Sequence, residues 1–106
     1  MSVLLEFSIF PLGHGERVGR YVSEVLRMID ASGIDYRLTP MGTIVETATV
    51  AQALAFVERA HAVLAGQGCH RVYATAKLDI RPGHERRMNR KVESVRVRLD
   101  ALKDST

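Results

Sequence analysis

The run from Arg71 to Arg81 (RVYATAKLDIR) alternates almost perfectly between polar and apolar side chains. A period of two marks a β-strand, because successive side chains leave opposite faces of the backbone. Val72, Ala74, Ala76, Leu78 and Ile80 then share one face, while Tyr73, Thr75, Lys77 and Asp79 share the other. Any fold for this chain has to give that strand neighbours, and the preceding residues supply them.

Val3 to Phe10 is a mostly apolar run ended by Pro11-Leu12-Gly13, which suits a central strand. From Val18, the apolar positions Tyr21, Val22, Val25 and Ile29 recur every three or four residues, the mark of an amphipathic helix that Gly33 can stop. Tyr36–Thr39 and Thr43–Thr47 flank Pro40-Met41-Gly42 and read as a hairpin. Thr49-Val50-Ala51-Gln52 has the form of a capping box, and Ala53, Phe56, Val57, Ala60 and Val63 give the helix after it a buried stripe as far as Gly66 and Gly68. Beyond Pro82-Gly83, the residues Met88, Val92, Val95, Leu99 and Leu102 predict a third amphipathic helix, which needs something to pack against.

The order β-α-β-β-α-β predicts an α+β, ferredoxin-like sandwich with both central helices on one face of an antiparallel sheet, plus a C-terminal helix. The other sheet face is then open. Alternation places Glu6, Ser8 and Phe10 there beside Tyr73, Thr75, Lys77 and Asp79, with Glu46 able to join them. Such a face is solvated surface, an oligomer interface or a ligand site.

At 106 residues, the chain has length for one core, so residues 1–106 read as a single domain. Small domains bury a modest fraction of their surface, which makes pairing with further copies a natural route to stability. The one cysteine, Cys69, has no internal partner, no segment is long and apolar enough to span a membrane, and Met1–Glu6 lacks a basic leader. The expected compartment is the cytoplasm. Residues 1–69 carry 5 basic and 7 acidic side chains, whereas residues 70–106 carry 10 and 5. Arg81, Arg86, Arg87, Arg90, Lys91, Arg96 and Arg98 belong to that surplus. With no aromatic residues among them, they read as a solvated helix face rather than a nucleic-acid site.

Catalytic signals are sparse. Cys69 and His70 are adjacent at a strand start and project to opposite faces, and His14, His61 and His84 show no metal-ligand spacing. Gly13-His14-Gly15-Glu16-Arg17-Val18-Gly19 only approximates a phosphate loop, and Asp35 precedes the second strand instead of closing it. Neither a metal nor a cofactor is expected. Glu6, Glu46 and Asp79 are strand carboxylates with no nucleophile to serve, so a general-base role ranks below salt bridging to Lys77, Arg71 or Arg81. Beside Tyr73 or Phe10, such a carboxylate would also suit a flat cationic ring.

Several stretches together resemble the small thiamine-binding protein family, relatives of the YkoF-type proteins. They are Pro11-Leu12-Gly13, Tyr21-Val22, Ser32 to Glu46 (SGIDYRLTPMGTIVE), Arg71-Val72, Lys77 to Arg81 and Lys91 to Val95. Pro40-Met41-Gly42-Thr43-x-x-Glu46 is the most specific of them. The resemblance implies a ferredoxin-like fold whose sheets pack on those of partner subunits in homodimers or homotetramers. It also implies thiamine, or its hydroxymethylpyrimidine part, as a bound ligand without catalysis. A carboxylate such as Glu46 would meet the thiazolium, and Ser8, Thr43 or Lys77 the aminopyrimidine, with Tyr73 and Asp79 completing the expected site. The chain departs from the family at the start of helix one, where Gly15-Glu16-Arg17-Val18-Gly19 replaces the Ser or Thr of many relatives. The rival expectation is a structural or regulatory oligomer that binds no small ligand.

Overall fold

The structure, a computed structural model, describes residues 1–104, excluding the side chains of residues 89–91. The expected solvation of Arg90 and Lys91 therefore lies outside the described side chains. The elements run β1 (Ser2–Pro11), a 3₁₀ turn (Gly15–Arg17), α1 (Val18–Ala31), β2 (Tyr36–Thr39), β3 (Gly42–Thr47), α2 (Val50–Gly66), β4 (Val72–Arg81) and α3 (Arg87–Asp104). The four strands form one antiparallel sheet in the order β2-β3-β1-β4, the ferredoxin-like arrangement. Among the described residues, no helix is long and apolar enough to cross a membrane.

Strand β1 is central because its alternation is the most apolar. Val3, Leu5, Phe7 and Ile9 point at the helices and are buried, while Leu4, Glu6, Ser8 and Phe10 are half-buried on the open face. Val45 from β3 joins the buried layer beside Leu5, as do Val25 and Ile29 from α1 and Phe56, Ala60 and Leu64 from α2. Each fully buried Leu, Ile or Val contributes about 1.5–3 kcal/mol relative to exposure, so this layer holds the two helices on the sheet. Helix α2 begins where the capping box predicts. Gln52 N–H donates to Thr49 Oγ1 at 3.1 Å, and the Gln52 side-chain oxygen accepts from Ala48 N–H at 3.0 Å, one residue earlier than in the usual box.

The β2–β3 hairpin explains one glycine. A Cβ on Gly42 would lie 2.8 Å from the Phe7 carbonyl oxygen, so only glycine lets β3 come this close to β1. Cys69 is buried and free, its N–H donating to Leu64 O at 3.1 Å.

Two features differ from the sequence expectation. The helix-side face of β4 is not covered: Leu78 is 36% and Ile80 49% exposed, because α1 and α2 sit mainly over β1 and β3 while β4 is an edge strand. In addition, Arg87 does not belong to a solvated face. It is 4% exposed, its guanidinium turned in against the end of β1. Helix α3 departs from that point, and the molecule reaches 54 Å in its longest dimension with a radius of gyration of 16.3 Å, against about 13 Å for an ordinary domain of this length.

Candidate functional site

The open sheet face is ordered by register. Phe10 faces Tyr73, Ser8 faces Thr75, and Glu6 faces Lys77. Leu4 lies between Asp79 on β4 and Glu46 on β3, while Glu6 lies between Lys77 and Ile44, with Arg37 of β2 beyond Ile44. A hollow of about 250 Å³ opens here, its lining including Leu4, Glu6, Ile44, Lys77 and Asp79. Leu4 and Ile44 give it aliphatic lining, and Glu6 and Lys77, paired in register on β1 and β4, bring a carboxylate and an ammonium to it. Those are the groups needed to receive a flat ring bearing a positive charge and hydrogen-bonding edges.

The expected site residues divide. Lys77 and Asp79 line the hollow, and Ser8 is on the same face one inter-residue pair along, about 7 Å from Glu6. Tyr73 is on the right face but four residues from Lys77, about 13 Å, where its ring stacks on Phe10 with centroids 5.6 Å apart. Thr43 is on the wrong face. It lies opposite Phe7, 7% exposed among the helix-side residues, because three positions separate it from Glu46 and an odd spacing on a strand reverses the face. Glu6, one of the three strand carboxylates read as able to suit a cationic ring but left out of the expected thiamine site, lines the hollow between Lys77 and Ile44.

Glu46 has other work. Its Oε2 accepts from Ser2 Oγ–H at 2.5 Å and from Arg87 N–H at 2.8 Å, and its Oε1 accepts from Met88 N–H at 3.2 Å. The carboxylate thus caps the first turn of α3, where unpaired N–H groups and the helix dipole favour an anion. Partial burial alone would raise the Glu46 pKa. The hydrogen bonds from Ser2, Arg87 N–H and Met88 N–H, with the nearby guanidinium charge, outweigh it and bring the pKa below the ordinary 4.5.

Arg87 locks the same joint from the other side. Its Nε donates to Ser2 Oγ at 3.0 Å, and its Nη2 donates to the carbonyl oxygens of Ser2 at 3.0 Å and Asp79 at 2.6 Å. Nη1 lies 2.9 Å from Asp79 Oδ2, an ion pair whose angle is not that of a hydrogen bond. Asp79 therefore both lines the hollow and pairs with Arg87. Neither Ser2 nor Arg87 stood out as a site residue in the sequence, because Ser2, Glu46 and Arg87 lie 41 to 85 residues apart. A second, polar hollow of about 300 Å³ lies beside this joint, between Asp35, Tyr36, Arg37, Glu46, Arg86 and Met88. Tyr36 donates to Asp30 Oδ1 at 2.9 Å, and that bond, with the Asp30 charge, raises its pKa above 10.0.

Known proteins share this architecture and sequence. A UPF0045 protein of Mycobacterium bovis is 42% identical over 95 residues, covering 90% of this chain and 92% of its own. A UPF0045 protein of Methanothermobacter thermautotrophicus is 29% identical over 98 residues, covering 92% and 99%. The crystal structure of a Methanocaldococcus jannaschii protein superposes with a TM-score of 0.76 at 29% identity, covering 89% of this chain and 95% of that one. The family model for thiamine-binding proteins matches residues 5–96, which takes in β1 from Leu5 onward, the other three strands, both packed helices and the first part of α3. The chain therefore belongs to the thiamine-binding protein family.

Proposed function

We propose that this protein binds thiamine or a related hydroxymethylpyrimidine compound without chemically altering it, as a homo-oligomer in the cytoplasm. On this reading, residues 1–106 act as one thiamine-binding domain. The observation that carries the proposal is the open-face hollow, in which Glu6 and Lys77 lie paired in register beside Leu4 and Ile44. Glu6 would receive the thiazolium charge, and Lys77 and Ser8 would serve the pyrimidine edge as hydrogen-bonding groups. Assembly is supported by the size of the hollow. At about 250 Å³ and open on one side, it falls below the roughly 300–1,000 Å³ of typical small-molecule sites, and a second sheet laid over it would supply the missing wall. Cytoplasmic placement is supported by the single, free cysteine.

Isothermal titration with thiamine, hydroxymethylpyrimidine and thiamine phosphates tests the proposal. Saturable heat with at least one of them is expected, and none with any at high protein concentration would refute it. One observation favours the rival reading of an assembly with no small ligand: Glu46 and Asp79, two of the expected binding carboxylates, are engaged with Ser2, Arg87 and the α3 backbone inside the chain.

A further inference from the structure

Two elements of this chain present exposed apolar faces. On α3, Val92 is 41%, Val95 65%, Leu99 47% and Leu102 66% exposed. A hollow of about 470 Å³ is lined by Val92, Val95, Arg96 and Leu99, all on α3, so the helix makes one wall of it and the facing wall is open. The second face is the helix side of β4, where Ala74, Ala76, Leu78 and Ile80 are exposed. The two elements follow one another in the chain, yet α3 does not fold back onto β4. The joint at Glu46 and Arg87 fixes the start of α3 at the end of the sheet and sends it outward.

We propose that α3 is an exchanged arm: in a two-fold dimer, α3 of each copy lies along the Ala74–Ile80 face of the other copy's β4. This rests on the self-assembly part of the proposed function and assigns its surface. The lengths agree, since ten residues of strand span about 33 Å and eighteen of helix about 27 Å. A helix contact about 27 Å long and 10 Å wide, counted on both surfaces and for both arms, removes on the order of 1,100 Å², which clears the roughly 1,000 Å² expected of a specific interface.

Charge selects this occupant over the simplest alternative, in which two α3 helices zip together. The apolar row at 88, 92, 95, 99 and 102 is a narrow seam with Arg96, Arg98 and Lys103 beside it. Pairing that seam with its own copy would set basic residues against basic residues. Helix α3 holds six of the fifteen basic residues and three of the twelve acidic ones, so it carries the whole formal charge of +3 and the rest of the chain is neutral overall. Against the second copy's β4, the arm meets an apolar surface on a body with no net repulsion.

The test is complementation, measured by sedimentation equilibrium on the full chain. Leu99→Asp disables the arm and Leu78→Asp disables the receiving face, both at exposed positions, and circular dichroism checks that each variant folds. Val95→Asp and Ile80→Asp form the second pair. Each variant alone is expected to weaken dimerisation at least tenfold. Their equimolar mixture should recover a heterodimer of intermediate stability, because the arm of Leu78→Asp still fits the face of Leu99→Asp. A mixture no better than the single variants would overturn arm exchange, as would wild-type assembly that neither pair disturbs. A monomeric wild-type chain would refute self-assembly as a whole, and thiamine binding is judged separately by its own titration.

Discussion

Replacing Glu46 by Gln should loosen α3 while leaving the sheet intact. The carboxylate accepts three hydrogen bonds through two oxygens, whereas the amide has one oxygen and one donor group. If the amide oxygen keeps the Ser2 and Arg87 bonds, its NH₂ is driven against Met88 N–H and that bond is lost. A hydrogen bond to a charged group is worth about 1.5 kcal/mol at the low end, and the favourable charge at the helix N-terminus about another 0.5 kcal/mol. The sum of about 2 kcal/mol corresponds to a roughly 30-fold larger equilibrium constant for opening. Hydrogen exchange should show it as a loss of protection across residues 87–104, with the β1 amides of Val3, Leu5 and Phe7 unchanged because the core layer does not involve Glu46. Unchanged exchange in α3, or equal losses in β1 and α3, would refute this account of the joint.

Acidification should act on the same joint. A carboxyl whose folded pKa is depressed stabilises at pH above its unfolded value and loses that contribution as pH falls through the folded value, so α3 should stay fastened above about pH 4.5 and release below it, followed by exchange or helical circular dichroism. Gly42→Ala forces a Cβ to within 2.8 Å of the Phe7 carbonyl and should cost about 1–3 kcal/mol in urea unfolding; no loss would mean that β3 shifts freely. Leu5→Ala removes a fully buried side chain from the central strand and should cost about 2–5 kcal/mol in the same experiment. Thr43→Val, on the helix-side face, should leave any thiamine affinity unchanged, and a tenfold loss would place the ligand elsewhere.

Elements with strong periodicity were readable in the sequence. The period of two in β4 and the three-four spacing in α1 and α3 fixed their type, and segment order pointed to the sheet topology. The open face was equally legible, because parity on β1 and β4 alone assigns Glu6, Ser8, Lys77 and Asp79 to one side. Thr43 was misplaced by grouping it with Glu46 across an odd spacing. The role of Glu46 was hidden for a different reason. Its partners, Ser2 and the start of α3, are brought to it only by the register of three strands and the turn into α3, at which Arg86 adopts a left-handed backbone with φ 54°. Pro-Met-Gly-Thr-x-x-Glu, the most specific stretch in the family resemblance, is therefore a structural device through much of its length. It combines a hairpin tip, a glycine at a close approach, a buried threonine and a carboxylate that fastens a helix. Uncovered β4 was likewise invisible, since alternation shows which face wants covering but not whether this chain supplies the cover.

The central claim, a thiamine-type ligand held at Glu6 on the open face, is tested most directly by titrating thiamine into Glu6→Gln and Glu46→Gln side by side with the wild-type chain. Loss of an ion pair worth about 1.4 kcal/mol should weaken binding about tenfold in Glu6→Gln, with Glu46→Gln close to wild type. The reverse pattern, with affinity lost in Glu46→Gln and kept in Glu6→Gln, would contradict the account and move the site to the polar hollow beside α3.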